Sequence, residues 1–176
     1  MTSKPEETVR RTFWRDLTGQ SDRWGRTLVL TVVFGRLSAL LIGLPILMLA
    51  GDGADDQFSG MADALTDDWV FAGLVFAPLI ESLGIRLVVW TLGSRAGLNW
   101  PVWATALACG AVAVPLHGLS LVSMAPAPFF ALMAAIQHHW MNRGRGWAGF
   151  WLVVAIHLVV NALGMLAMVL IGSEAG

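Results

Sequence analysis

A chain of 176 residues that is 56% hydrophobic and only 13% charged, with a mean hydropathy of +0.67, is too apolar for a soluble fold and reads as one integral membrane domain. The formal net charge is −1, and no nucleic-acid partner is expected. Cys109 is the only cysteine and lies inside an apolar run, so an intramolecular disulfide and a cysteine-based metal site are both excluded; it reads as a small core residue.

The chain opens on a polar tail, 1–26, that holds six of the eleven basic residues: Lys4, Arg10, Arg11, Arg15, Arg23 and Arg26. Its "KPEETVRRTFWRDL" stretch mixes both signs with Phe13, Trp14 and Leu17. Two readings stay open, a short helix on the cytoplasmic leaflet or a solvated leader. No cleavage-site pattern follows the first apolar run, so that run is expected to remain as a spanning helix.

Apolar runs at roughly 27–50, 69–92 and 100–123, together with the last one, approach or exceed the ~20 residues that cross a bilayer as helix. A shorter run at about 128–142 follows the "MAPAP" break. The expected architecture is an all-α bundle of about five transmembrane helices spanning 27–172, the fourth short or tilted. The loop 51–68 carries six aspartates and no Lys or Arg, so the positive-inside rule puts the N-terminus in the cytoplasm, with the plasma (inner) membrane as the expected host. Arg95, Arg143 and Arg145 then fall on the cytoplasmic side and the "SEAG" tail opposite. Trp24, Trp69, Trp90, Trp100, Trp103, Trp140 and Trp147 all lie near predicted helix ends and are expected to anchor them at the interfaces.

Within this apolar core a few polar residues demand a reason. Glu81 is the sole acidic residue between 69 and 173, in the middle of the second run, and an ionisable group at that depth normally faces a protein interior or a wet cavity and has a partner. Arg86 follows at i, i+5, about 140° away around the helix, a poor pairing angle. Pro78 should kink the helix just before Glu81. His117 lies in "VPLHG", and His157 and Asn161 share one face of the last run at i, i+4. Each alone reads as helix-to-helix glue. Together, on three helices, they are the parts of a hydrolytic site. A carboxylate away from bulk water can act as general base toward a water, a histidine can protonate a leaving amine, and a His/Asn pair offers two donors to an oxyanion. The same Glu81, His117 and His157 also make a zinc ligand set without the usual helical spacing, so metal-free and zinc-assisted hydrolysis both stay open.

The segments "APLIESLGIR", "LHG" and "RGRGWAGFWLVVAIHLVVNAL" together resemble the CPBP family of intramembrane endopeptidases, named for CAAX processing and bacteriocin-related proteins, over about residues 70–168. The resemblance implies that Glu81 activates water with His117 as catalytic partner, that His157 and Asn161 stabilise the oxyanion, and that Arg86 supports the site. It also implies hydrophobic or lipidated peptides, or bacteriocin-type peptides, as substrates. Two positions depart from the family pattern: Ser82 stands where the motif has a second glutamate, and Ala113 where it has a phenylalanine. Ser82 removes the i, i+4 counter-charge for Arg86, which must then snorkel, bind carbonyls or draw on Glu81. A non-catalytic relative acting in binding or bacteriocin immunity is the competing reading. Arg36, mid-helix in the first run, is expected to snorkel toward the inner leaflet, with a salt bridge to Glu81 as the alternative. His138 and His139 are expected at the interface.

Overall fold

The computed structural model describes residues 12–20, 23–50, 70–117 and 124–172. The aspartate-rich loop 51–68, Trp69, the first eleven residues and the "SEAG" tail lie outside the described residues.

The described chain is mostly helical, with no strand among the described residues. Helix α1 is Trp24–Ala50, and α2 is Ala77–Val88, extended at each end by a π-helical turn, Ala72–Phe76 and Val89–Gly93. Helices α3, α4 and α5 are Val102–Leu116, Ala127–Asn142 and Gly146–Gly172. Three of these are long and apolar enough to cross a bilayer: Trp24–Ile42 in α1, Ala72–Gly93 through α2, and Gly146–Ala167 in α5. Their outward faces carry Val33, Leu37, Leu41, Ile80, Leu83, Leu87, Leu163 and Leu166 exposed, as lipid contact requires of a membrane protein. Helix α3 is apolar but shorter.

Helix α4 is the hub, packing on α1, α2, α3 and α5. It is buried nearly all round, from Phe129 and Phe130 through Met133, Ala134 and Ile136 to Trp140, and the burial includes Gln137 and His138. Close approach is built from small residues. A Cβ on Gly110 would stand 2.9 Å from the Ala127 carbonyl oxygen, so the glycine lets α3 and α4 meet backbone to backbone.

One expectation is corrected here. Trp140 is no interfacial anchor: it is fully buried in the core, edge-on to Trp24 with ring centroids 5.4 Å apart, because α4 lies inside the bundle rather than along its rim. Trp24, Trp90, Trp100, Trp103 and Trp147 do lie exposed near helix ends. The tail is also partly built into the domain. Residues 12–17 are helical, Leu17 joins the core, and buried Asp16 pairs with Arg26 Nε at 2.9 Å, while Phe13 and Trp14 stay exposed. The Leu17 carbonyl accepts from Thr31 Oγ1 at 3.3 Å, tying this turn to α1.

Candidate functional site

The site is set by the antiparallel register of α2 and α5. Arg86 lies beside Gly146 and over the Trp147 ring at one end, Glu81 faces His157 in the middle, and Gly73 meets Asn161 at the other. That register brings Glu81 Oε2 and His157 Nε2 to 3.3 Å, the charge encounter the sequence left without a partner. His157 is buried between the edges of Phe129 and Phe130, at centroid distances of 5.7 and 5.6 Å. Apart from that 3.3 Å approach, Glu81 Oε2 makes no hydrogen bond among the described residues, and His157 Nδ1 is buried without one. Both therefore keep free lone-pair or donor capacity inside an apolar wall.

His117 arrives from α3. The helix ends at Leu116, and His117 caps it by donating from Nδ1 to the Ala113 carbonyl oxygen at 2.8 Å, one turn back. Its ring packs edge-on against Phe130 at 5.2 Å, the same phenylalanine that His157 contacts. Of the three candidate groups it is the most open.

Two cavities share His117 and Phe130 as lining residues. One, of about 440 Å³, lies between α2 and α3 and has Glu81, His117, Ile85, Cys109 and Ala113 on its walls. Ile80, Leu87, Val112 and Leu116 form its rim and are exposed on the lipid-facing surface, so it opens sideways. The other, of about 280 Å³, lies between α1, α4 and α5 and is lined by Arg36, His117, His157 and Asn161 among apolar neighbours.

Asn161 has a structural duty of its own. The π-helical turn sends the Ala77 N–H to the Ala72 carbonyl, and the next donor, residue 78, is a proline with no N–H. The Gly73 carbonyl is thus deprived of both helical partners, and Asn161 Nδ2 donates to it at 2.9 Å. One amide N–H of Asn161 holds α5 to α2; the second remains for other work.

Arg86 neither snorkels clear of the protein nor reaches Glu81. It stacks on Trp147 with its guanidinium carbon 4.1 Å from the ring centroid, and its Nη1 is buried without a hydrogen-bond partner among the described residues. Ser82, one turn earlier, is fully buried, with its hydroxyl equally unpartnered. Arg36 also departs from both expectations. It turns into the bundle and donates from Nη2 to the Val160 carbonyl, beside Gly164. Among the described residues, no group of three or more His, Cys, Asp or Glu side chains is placed to hold a metal ion.

Sequence reasoning missed a second polar cluster. His138, expected at the interface, is buried: Nε2 donates to the Trp100 carbonyl at 3.3 Å, and Nδ1 accepts from Asn142 Nδ2 at 3.3 Å. Asn142 gives its other N–H to the Gly93 carbonyl at 3.3 Å, and Gln137 donates to the Gly146 carbonyl at 3.1 Å. The i, i+4 spacing of His138 and Asn142 was the available signal. Comparison with protein-family models, curated proteins and solved structures finds no match for this chain.

Proposed function

We propose that the chain is an intramembrane endopeptidase, a bundle of about five transmembrane helices with a cytoplasmic N-terminus, that hydrolyses a peptide bond of a hydrophobic or lipidated peptide. The observation that carries this reading is the Glu81–His157 encounter at 3.3 Å, beside a cavity open to the lipid-facing surface and shared with His117. A hydrophobic peptide would enter sideways without crossing a polar barrier, and among the described residues Glu81 and His117 are the ionisable polar side chains on a wall that is otherwise apolar apart from the Cys109 thiol.

In the proposed reaction Glu81 takes a proton from water as the water oxygen bonds to the peptide carbonyl carbon. His157 Nε2 and the second Asn161 N–H receive the negative charge that develops on the carbonyl oxygen. Collapse of the tetrahedral intermediate breaks the C–N bond, and the proton that Glu81 took from water passes by way of His117 to the departing nitrogen, which restores both side chains. One product carries the new carboxylate and the other the new amine. Although Ala113 stands where the family motif has phenylalanine, His117 has an aromatic neighbour in Phe130 of α4. The test is reconstitution of the full chain in nanodiscs with a pool of synthetic hydrophobic peptides, read by mass spectrometry. Wild type should release fragments that Glu81→Gln and His157→Gln do not.

The second reading, a non-catalytic membrane protein for binding or bacteriocin immunity, draws on two observations: the buried Ser82 in place of a second carboxylate, and the commitment of Asn161 to Gly73. Protection of cells by Glu81→Ala and His157→Ala variants equal to that by wild type would favour it.

A further inference from the structure

Arg86 takes no step in the proposed hydrolysis, and the protein leaves its charge uncompensated. Its Nη1 is buried without a hydrogen-bond partner, and no carboxylate reaches its head group among the described residues. Glu81, the sole acidic residue between 69 and 173, faces His157, and one turn before Arg86 stands Ser82 in place of an acid. The head group lies at one end of the bundle. A Cβ on Gly146, the first residue of α5, would stand 3.0 Å from Nη1. At this end Asn142 binds the Gly93 carbonyl, which joins the last turn of α4 to the π-turn that closes α2, and Arg95, Arg143 and Arg145 are exposed. Exposed Trp90 and Trp147 mark the same level, as indoles do where lipid tails give way to head groups. Leu83, Arg86, Leu87 and Trp90 recur at i, i+3, i+4 and i+7 on one stripe of α2 and its π-turn, and they line a groove of about 270 Å³. Leu83, Leu87 and Trp90 are exposed on the outer surface, so the groove faces lipid.

From this placement we infer that the groove on α2 binds an anionic phospholipid, its phosphate held by Arg86 and one acyl chain laid along Leu83 and Leu87. Two phosphate oxygens match the planar fork of a guanidinium and supply the counter-charge that the protein leaves out. Trp90 closes the groove with a ring whose apolar body meets the chain and whose N–H meets the head group. The sign of the lipid follows from the surroundings. A zwitterionic head group brings its own ammonium to the phosphate, whereas an anionic one leaves that charge to Arg86 and is drawn in by Arg95, Arg143 and Arg145 at the same end. Free phosphate answers the charge but leaves Leu83, Leu87 and Trp90 uncovered. Glu81 and His117 do not line this groove, so lipid binding here does not depend on the hydrolytic reading.

The test titrates the full chain in detergent with phosphatidylglycerol or with phosphatidylcholine of the same acyl chains, and counts bound lipid by native mass spectrometry. The first phosphatidylglycerol should bind about tenfold more tightly than phosphatidylcholine, the effect of one charge-assisted pair. Arg86→Gln should abolish that preference and Arg86→Lys should keep part of it. Leu83→Trp fills the groove from the lipid side while leaving the charge and the core in place; it should weaken phosphatidylglycerol binding with melting unchanged, and it decides the matter if Arg86→Gln does not fold. Replacing Arg95, Arg143 and Arg145 together by Gln should leave most of the preference. Equal binding of the two lipids, a preference that survives Arg86→Gln, or unchanged binding in Leu83→Trp overturns the inference. So does a preference lost with the three exposed arginines, which would make the attraction one of the whole surface. Displacement of phosphatidylglycerol by millimolar inorganic phosphate would make a free anion the occupant and overturn it as well.

Discussion

Two polar clusters lie inside this apolar bundle, and they are built on opposite principles. Around His138, nearly every polar atom is answered by the backbone: His138 by Trp100, Asn142 by Gly93, Gln137 by Gly146, with His138 and Asn142 also bonded to each other. Only Gln137 Oε1 is left over among the described residues. Around Glu81 the reverse holds. The carboxylate and His157 meet each other at 3.3 Å, have buried atoms with no further hydrogen-bond partner among the described residues, and border cavities that reach the bundle surface. A satisfied cluster stabilises an interface between helices; an unsatisfied one beside a cavity keeps its capacity for a ligand, which is how buried polar groups that do chemistry differ from those that hold structure.

Substitutions should separate the two. The largest effect is expected at Glu81→Gln, which preserves shape and removes the base: peptide turnover should fall about 10²- to 10⁴-fold while thermal melting is unchanged or raised. His138→Ala should do the opposite. It strands the Trp100 carbonyl and one Asn142 N–H and should cost about 2–3 kcal/mol of stability, read by melting in detergent, with turnover per folded molecule retained. Asn161→Ala belongs to both clusters' logic, since it frees the Gly73 carbonyl that Pro78 already deprives of a donor. A loss of about 1 kcal/mol is expected, together with a smaller fall in turnover than at Glu81. Ser82→Ala should do least, leaving stability unchanged or raised by up to about 1 kcal/mol, because its hydroxyl is buried without a partner. A melting loss at Glu81→Gln as large as that at His138→Ala would erase the distinction between the clusters.

What was legible in the sequence is what depends on composition along one helix. The apolar runs of α1, α2 and α5 mark the three helices long enough to span, and "MAPAP" marks the start of α4. Glu81, His157 and Asn161 stood out because charge and amide are rare in such runs, and the structure brings Glu81 and His157 together. The partners on other helices were not legible. Nothing within α1 tells that Arg36 turns toward Val160 and Gly164 rather than toward a leaflet, since that depends on where α5 crosses. Trp140 looked like an anchor because it ends an apolar run, but the run belongs to the one helix surrounded by the other four. The tie from Asn161 to Gly73 was half visible: Pro78 announces a missing donor, but the π-turn that leaves Gly73 as the orphan is a property of the folded backbone.

The central claim is that Glu81 and His157 form a reactive pair and not a structural one. It is tested most directly by incubating nanodisc-embedded wild type, Glu81→Gln and His157→Gln with the same hydrophobic peptide pool and following new termini by mass spectrometry, with melting curves measured on the same preparations. The account predicts fragments from wild type alone, with all three proteins melting alike. No fragments from wild type, or fragments at the wild-type rate from Glu81→Gln, would contradict it.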